Sequence, residues 1–239
     1  MGIYDLPANI DFILDKTMVD KIDYVGHSQG TTQFWVANMM RDDIGKKIDT
    51  FIGMAPVLFT GNQTSIMATL GIKLGWDTWL EEHLWSILWL KQGTSLFNDL
   101  VYRFSPSFLT LVPRTTWSFV QGIVGFDDKS HMDTQRMPMM ARNDVGGTST
   151  QNLKHWAQNL KSGKFQTLET NAQPAKDYDL SKLSQNLADT NLLLFVGGKD
   201  ALTTKEDFQI LEGLLPDGNM VYNIVDYNHL DYMWAEDAS

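Results

Sequence analysis

The sequence predicts an α/β fold, with part of a mainly parallel sheet, flanking helices and a helical insertion. Four short apolar runs have the length and composition of buried parallel strands, at about 21–25, 50–55, 191–196 and 220–225. The alternation of strands and helices stops after Leu58 and resumes only near Asn191. We therefore expect three segments: a core segment at 1–59, a mostly helical cap or lid at 60–185, and a second core segment at 186–239.

Helix signals separate these strands. A first helix is predicted at about 7–17, where a proline opens the first turn and apolar residues share one face. A later helix is predicted between a cap at Thr203-Thr204 and a stop at Pro216. Another helix carries an apolar stripe that includes Trp156 and Leu160, and we interpret it as scaffold of the cap.

The most informative motif is Gly26-His27-Ser28-Gln29-Gly30, which lies between the first apolar run and a helix-like run. A strand, then G-x-S-x-G, then a helix is the nucleophile elbow of α/β-hydrolases. The glycines allow strand and helix to pack closely around a strained turn. Ser28 is therefore the candidate nucleophile, and the N–H of Gln29 at the helix start is a candidate oxyanion donor. The alternative is a glycine-rich turn with a surface serine.

A nucleophilic serine needs a base and an orienting carboxylate, and in α/β-hydrolases these follow in the chain order Ser, Asp or Glu, His. Asp200 and His229 each follow an apolar run closely, so both are expected at the carboxyl edge of the sheet. Asp226 and Asp231 are rival carboxylates, but each is close to His229 in sequence. The remaining histidines are interpreted as elbow, surface or packing residues: His27, His83, His131 and His155.

Further motifs extend along the chain and are weakest across about 60–145. They are Tyr4-Asp5-Leu6-Pro7-Ala8, Thr31-Thr32 after the elbow, Gly147-Thr148-Ser149 with Gln151-Asn152, His155-Trp156, Lys161-Ser162-Gly163-Lys164-Phe165-Gln166, Gly197-Gly198-Lys199-Asp200 and Tyr227-Asn228-His229-Leu230-Asp231. With the elbow, they resemble the acid lipase family, an α/β-hydrolase family that includes lysosomal acid lipase and gastric lipase. Matched residue by residue, the resemblance implies that Ser28 is the nucleophile, Asp200 the acid and His229 the base.

The resemblance also implies an N-terminally truncated chain that holds only the C-terminal half of the sheet. Family members carry a long preceding segment with a signal peptide, the first strands and a His-Gly-Leu turn that donates the second oxyanion N–H, and they add a final helix. This sequence contains no His-Gly pair, so we expect the second donor to be absent from this chain. We also expect the strand at 21–25 to form an exposed edge, and an upstream fragment to complete the sheet.

Aromatic residues crowd the first part of the predicted cap. Trp79, Trp85 and Trp89 recur there among leucines and acidic residues. One interpretation is an acyl-chain groove or a lipid-facing lid in which these tryptophans bind substrate. The other is ordinary packing of the cap onto the core, because aromatic stripes at helical spacing are usually buried. The sequence leaves both interpretations open.

The net charge and the residue composition limit the kinds of molecule that this chain is expected to bind. The net charge of −10 and the pI of about 4.8 argue against nucleic acid and anionic membranes, and they suit a neutral ester. The chain has no cysteine and no spacing typical of a metal site or cofactor loop, so no metal and no cofactor are expected. We recognise no signal peptide and no apolar run near the ~20 residues of a membrane span. The compartment stays unknown, although the resemblance implies a lysosomal or secreted full-length form.

Three functional hypotheses follow. The first is a serine ester hydrolase that uses Ser28, His229 and Asp200 and forms an acyl-enzyme; the resemblance adds triacylglycerols and cholesteryl esters at a lipid–water interface. The second is a truncated, non-catalytic lipid-binding or vestigial fragment that lacks half of its oxyanion hole. The third is a thioesterase or acyltransferase that uses the same residues.

Overall fold

The sheet consists of four parallel strands in the order β1-β2-β3-β4. The computed structural model describes residues 1–75, 113–126, 136 and 148–238. The strands are β1 (Ile22–His27), β2 (Ile48–Met54), β3 (Asn191–Gly197) and β4 (Met220–Ile224). Because all four run in the same direction, their carboxyl ends share one edge of the sheet, which is where ligands bind in folds of this class.

Helices follow or precede these strands throughout the described ranges. They are α1 (Asp5–Thr17), α2 (Gln29–Met40), α3 (Ile66–Lys73), α4 (Pro113–Val124), α5 (Thr150–Ser162), α6 (Lys182–Asn186), α7 (Lys205–Glu212) and α8 (Asp231–Trp234), with a 3₁₀ turn at Gly45–Lys47. Helix α2 packs against β1 and α6, α1 packs against α2, and α3 packs against α4. Helix α2 is therefore the element that joins the sheet to its neighbours on one face.

An aromatic stack fixes α2 on the sheet. Phe34 of α2 and Phe51 of β2 are fully buried, and their rings stack with centroids 4.0 Å apart. Tyr24 of β1 stacks on both rings, and Trp35 meets Phe51 edge-to-face at 4.8 Å. Large aromatic rings bury much apolar surface and prefer such stacked or edge-on geometries. The stack therefore determines how the helix after β1 lies over the sheet.

The four strands predicted from the sequence are confirmed, with ends that differ by a few residues. Helix α1 begins at Asp5, earlier than expected, because the carbonyl of Met1 accepts the N–H of Asp5 and already forms a turn. Of the predicted cap Thr203-Thr204, the structure shows Thr204 in that role, since its hydroxyl oxygen accepts the N–H of Asp207 at 3.3 Å. Helix α7 stops at Glu212, before Pro216, and the chain continues in turns in which the N–H groups of Leu214 and Leu215 donate to the carbonyls three residues earlier. The short helices α6 and α8 were not predicted.

Strand β1 lies at one edge of the described sheet. Among the residues that the structure describes it pairs with β2 alone, and its Val25 is 59 % exposed. This agrees with the expectation of an exposed edge at this strand. An apolar strand edge offers unpaired backbone groups to any further strand that pairs with it.

The division into segments at 1–59, 60–185 and 186–239 stays a prediction. In the described part of the middle segment, α3, α4 and α5 are helical. The chain after α5 is irregular and is stabilised by isolated antiparallel bridges, Gln166 with Asp177 and Thr170 with Gln173.

Two phenylalanines form a matched pair of truncations. Phe51→Ala removes a fully buried ring from the aromatic stack, so we expect the free energy of unfolding to fall by about 3–5 kcal/mol. Phe12→Ala removes the same atoms from a ring on α1 that is 61 % exposed, so we expect a loss below about 1 kcal/mol. Equilibrium denaturation in urea measures both losses. Equal losses would contradict the packing described above.

Candidate active site

The junction of β1 and α2 holds Ser28 in a strained backbone conformation. Strand β1 ends at His27, α2 begins at Gln29, and Ser28 between them has φ 53° and ψ −121°. For a residue with a Cβ atom, such a conformation costs about 1–3 kcal/mol and persists only where the surroundings enforce it. A strained serine between strand and helix is the geometry of a nucleophile elbow.

Gly26 allows β1 and α2 to approach each other closely. A Cβ atom at this position would lie 2.9 Å from Tyr24 Cε1 and 3.2 Å from backbone atoms of Gly30 and Thr31. The Tyr24 hydroxyl also donates to the carbonyl of Gly30 at 3.0 Å. A side chain at residue 26 would therefore push the helix away from the strand and move Ser28 with it.

Hydrogen bonds to β2 and the loop after it hold Ser28. Its N–H donates to the carbonyl of Met54 at 3.1 Å. Its carbonyl accepts from the Thr31 hydroxyl at 2.7 Å, and the Thr31 oxygen in turn accepts the N–H of Val57 at 2.9 Å. The strained backbone is thus fastened on both sides, which is what a positive φ at a serine requires.

The structure brings Ser28, His229 and Asp200 together from three separate loops. His229 Nε2 lies 2.7 Å from Ser28 Oγ, and His229 Nδ1 lies 2.8 Å from Asp200 Oδ2. His229 is 3 % exposed and Asp200 is 6 % exposed. Because an ionised carboxylate only accepts, Nδ1 carries the hydrogen, and Nε2 accepts from the serine hydroxyl. A hydroxyl, a neutral imidazole and a carboxylate in this order can generate a serine nucleophile.

The Asp200 carboxylate is oriented by its own loop. One oxygen, Oδ1, accepts the N–H groups of Leu202 at 2.9 Å and Thr203 at 2.8 Å. The other oxygen faces His229. Two backbone donors therefore fix the plane of the carboxylate, so that Oδ2 stays directed at the imidazole.

The carbonyl of Val124, at the end of α4, connects the acid and base loops. It accepts the N–H of Ala201 at 3.0 Å and the N–H of His229 at 3.4 Å. The next residue, Gly125, has φ 121°, and a Cβ atom there would collide with the carbonyl oxygen of Lys199. No motif in the sequence indicated this contact, because α4 lies in the part of the chain with the weakest resemblance.

The rival carboxylates occupy other positions. Asp226 is exposed. Asp231 is buried, and its Oδ2 accepts the N–H of Asn228 at 2.7 Å, which shapes the turn around His229. The imidazole of His229 faces Asp200 and neither of these two carboxylates.

Of the other histidines, His155 is partly buried, with its Nε2 2.5 Å from the carbonyl oxygen of Gln166. This agrees with a packing role. His83 and His131 lie outside the described residues.

Gln29 occupies the start of α2, where the N–H groups have no acceptor within the helix. Its side chain pairs with Asn152 of α5: Gln29 Nε2 donates to Asn152 Oδ1 at 2.7 Å, and Asn152 Nδ2 donates back to Gln29 Oε1 at 3.3 Å. Asn152 Nδ2 also donates to the Thr148 hydroxyl at 2.9 Å. The pair joins the elbow to α5, a contact that the sequence did not reveal although Thr148 and Asn152 belong to a recognised motif. The absence of a second oxyanion donor stays a prediction.

A cavity of about 260 Å³ lies beside Ser28 and His229. Its remaining wall combines apolar and polar side chains and the start of α2: Gln29, Val57, Thr60, Gln63, Trp156, Leu160 and Leu202. Trp156 and Leu160, which we interpreted as scaffold of the cap, also line this cavity, because the link between α5 and the elbow brings both to it. Trp79, Trp85 and Trp89 lie outside the described residues, so their role in substrate binding stays a prediction.

His27 lies next to the candidate base. Its Nε2 is 2.7 Å from the carbonyl oxygen of His229, and the two ring centroids are 5.1 Å apart. Burial, followed by the proximity of His229, lowers the pKa of His27 from 6.5 to about 4, although the bond to the His229 carbonyl and the charge of Asp200 act in the opposite direction. His27 is therefore neutral near pH 7.

Comparison with known families identifies the fold family. Residues 1–236 match the family model described as the alpha/beta hydrolase fold. The chain belongs to the α/β-hydrolase fold family. A hydrolase of the alpha/beta fold family from Bacillus anthracis str. Sterne has a TM-score of 0.53 at 14 % identity, covering 94 % of this chain and 66 % of that one. A Mycobacterium tuberculosis structure has a TM-score of 0.50 at 14 % identity, covering 96 % and 65 %. At such identities these two structures support the fold alone.

The chain is also similar to acid lipases along its whole length, which confirms the resemblance. Human gastric triacylglycerol lipase is 34 % identical over 252 residues, covering 100 % of this chain and 60 % of the relative. Human lysosomal acid lipase/cholesteryl ester hydrolase is 31 % identical over 256 residues, covering 100 % of this chain and 59 % of the relative. The chain therefore spans about three-fifths of the length of these relatives.

The described ranges contain neither a metal-ligand cluster nor a membrane-spanning helix. No group of three or more histidine, aspartate or glutamate side chains in these ranges is placed to hold a metal ion. In the same part of the chain, no helix combines the length and apolarity needed to cross a bilayer.

Glycine and alanine at residue 28 separate backbone strain from loss of the hydroxyl. Both Ser28→Gly and Ser28→Ala remove the hydroxyl, but only alanine keeps a Cβ atom at φ 53°. We expect the free energy of unfolding to be about 1 kcal/mol higher for Ser28→Gly, because relief of strain exceeds the entropy that glycine adds to the unfolded chain. Urea denaturation measures the difference. An alanine variant of equal or higher stability would show that residue 28 is not strained.

The lowered pKa of His27 predicts a stability that depends on pH. Between about pH 6.5 and pH 4 the unfolded chain binds a proton at His27 that the folded chain does not, so stability falls as the pH falls. A tenfold difference in proton affinity is worth about 1.4 kcal/mol, and partial exposure reduces the effect. From pH 7 to pH 4 we therefore expect the wild type to lose about 2 kcal/mol more than His27→Gln. Urea denaturation at both pH values measures this, and equal losses would contradict a desolvated His27.

Proposed function

We propose that this chain is a serine ester hydrolase of the acid-lipase type, with Ser28 as nucleophile, His229 as general base and Asp200 as the group that orients the base. The observation that carries the proposal is the continuous hydrogen-bonded path from Ser28 Oγ through His229 to Asp200, at 2.7 Å and 2.8 Å. A serine hydroxyl is a weak nucleophile at neutral pH, so a base within hydrogen-bond distance is what its activation needs.

In the acylation step, His229 Nε2 takes the hydroxyl proton while Ser28 Oγ attacks the carbonyl carbon of the ester. Asp200 keeps the hydrogen on Nδ1 and stabilises the imidazolium that forms, since its Oδ2 lies 2.8 Å away. The imidazolium then gives its proton to the departing alcohol, and the acyl group remains on Ser28. The N–H of Gln29, at the start of α2, is the proposed donor to the oxyanion.

In the deacylation step, water takes the place of the serine hydroxyl as the nucleophile. His229 takes a proton from water, the resulting hydroxide attacks the acyl carbonyl, and the imidazolium returns the proton to Ser28 Oγ as the acid leaves. Each proton transfer passes through Nε2 of His229, the atom that lies 2.7 Å from Ser28 Oγ. The cycle therefore needs no group beyond these side chains, the oxyanion donors and water.

Neutral lipid esters are the proposed substrates. The relatives named above are a triacylglycerol lipase and a cholesteryl ester hydrolase. The apolar side chains of Val57, Trp156, Leu160 and Leu202 beside the serine suit a hydrocarbon chain, and the net charge of −10 suits an uncharged ester better than an anionic one. A lipid–water interface is the proposed partner, and secretion or lysosomal residence is proposed from the same relatives.

The rival function is a non-catalytic lipid-binding protein. One observation that favours it is the position of β1 at the edge of the described sheet, where Val25 is 59 % exposed. A strand from another segment could pair there, so the sheet described here would be only part of a catalytic domain. The rival is also favoured by the assignment of a single oxyanion donor, Gln29. Loss of one such donor costs about 10²–10³ in rate. Such a chain would bind a lipid ester beside Ser28 without turning it over.

Nitrophenyl esters of short and long fatty acids test the proposed function. We expect hydrolysis by the wild type, and a loss of kcat of at least about 10³-fold in Ser28→Ala, because the nucleophile and its base act as a unit. We expect a similar loss in His229→Ala and a smaller one in Asp200→Asn. Steady-state rates at acid and neutral pH measure these effects.

Two outcomes would overturn the proposal. Folded wild-type protein that binds the long-chain ester without turnover would favour the non-catalytic rival. Turnover that Ser28→Ala retains would place the chemistry at another residue. A thioester of the same acyl chain, assayed in parallel, tests whether the chain prefers thioesters.

A further inference from the structure

His27 precedes the candidate nucleophile, and its ring lies against the candidate base. Its Nε2 is 2.7 Å from the carbonyl oxygen of His229, and the two rings are tilted by 52°. Because a carbonyl oxygen only accepts, Nε2 carries a hydrogen and donates. A residue of the elbow therefore holds the backbone of the residue that the proposed reaction uses as its base.

This bond connects two loops that are 202 residues apart in the chain. Two other bonds of the base loop are local, from the N–H of Leu230 to Asn228 Oδ1 and from the N–H of Trp234 to the Leu230 carbonyl, and the Tyr227 carbonyl accepts the N–H of Lys199 in the acid loop at 2.9 Å. They shape the loop, but they do not connect it to the elbow. The other backbone bond of His229 that reaches a distant segment, from its N–H to Val124, is longer, at 3.4 Å. The bond from His27 is therefore the shorter of these two backbone anchors.

His27 can make this bond without carrying charge. Burial and the neighbouring His229 lower the pKa of His27 to about 4. The charged or titratable groups that face its ring are His229, Asp200 and, at 6.1 Å between centroids, Tyr232. A cation at residue 27 would oppose the imidazolium that His229 forms during the proposed reaction. A neutral donor at residue 27 can hold the base loop without repelling the His229 imidazolium, which the Asp200 carboxylate stabilises.

We propose that His27 is a positioning residue, whose Nε2–H holds the carbonyl of His229 so that the imidazole stays in line between Ser28 and Asp200. The inference rests on the proposed hydrolase function and adds to it a residue that does not itself touch the reacting atoms. The bond acts on the backbone of His229, whereas the two side-chain bonds of the imidazole set its rotation. The backbone bond and the side-chain bonds are both needed, because a displacement of about 1 Å at a reacting group can reduce a rate about 10²-fold.

Three substitutions of His27 test separately the reach of the side chain, the presence of an N–H donor and the shape of the ring. His27→Gln keeps a neutral N–H donor at about the position of Nε2. His27→Asn has the same amide group but is one methylene shorter, so its N–H cannot reach the carbonyl. His27→Phe keeps a flat ring and removes the donor. Because glutamine and asparagine differ only in reach, their comparison remains informative even if phenylalanine prevents folding.

With a nitrophenyl ester, we expect kcat of His27→Asn and His27→Phe to fall about 10–100-fold, with KM changed by less than about threefold. We expect His27→Gln to retain kcat within about fivefold of the wild type. Melting temperatures and far-ultraviolet circular dichroism establish that the compared variants are folded. A purely structural role would lower the melting temperature of the variants without this pattern of loss and rescue in kcat.

The assays distinguish failure of the proposed hydrolase function from failure of the proposed role of His27. Wild-type turnover that depends on Ser28, together with an unchanged kcat in folded His27→Asn, would overturn the inference alone. A glutamine variant as slow as the asparagine variant would also overturn it, because the donor would then not be the feature that matters. Absence of Ser28-dependent turnover in the folded wild type would overturn the proposed function and this inference with it.

Discussion

The strained backbone of Ser28 is the constraint on which the rest of the site depends. A φ of 53° turns the chain from β1 into α2 within one residue. The turn persists because Met54 and Thr31 hold the serine on both sides and because Gly26 lets helix and strand meet. Stacking of Phe34 on Phe51 then fixes the helix that this turn begins. Backbone strain, close packing and the position of the half-buried nucleophile are thus parts of one arrangement.

Parallel pairing of the strands brings the other two groups to the serine. The four strands lie side by side in the order β1-β2-β3-β4, and all of them are parallel. The loops after β3 and β4 therefore lie at the same edge of the sheet as the elbow after β1. Contacts between loops then set the final distances: the Val124 carbonyl joins the acid loop to the base loop, and His27 joins the base loop to the elbow. The sheet places the groups approximately, and these bonds refine their positions.

Local sequence pattern predicted the strands and the order of Ser28, Asp200 and His229, because each of these residues lies next to an apolar run at a strand end. It did not predict the bonds made by His27 or Asn152, since their partners are far away in the chain and no pattern records such pairs. The position of Trp156 beside the cavity was not predicted for a related reason. A helical stripe shows which face of a helix is apolar, but not whether that face meets the core or a cavity.

Covalent labelling with a fluorophosphonate, followed by mapping of the adduct by mass spectrometry, tests the central claim most directly. Such a reagent reacts with a serine that a neighbouring base has activated, and it needs no assumption about the natural ester. We expect one adduct per chain, located on Ser28, and labelling slowed by at least about 10²-fold in His229→Ala. An adduct on another residue, or labelling of Ser28 at an unchanged rate in His229→Ala, would contradict activation of Ser28 by His229.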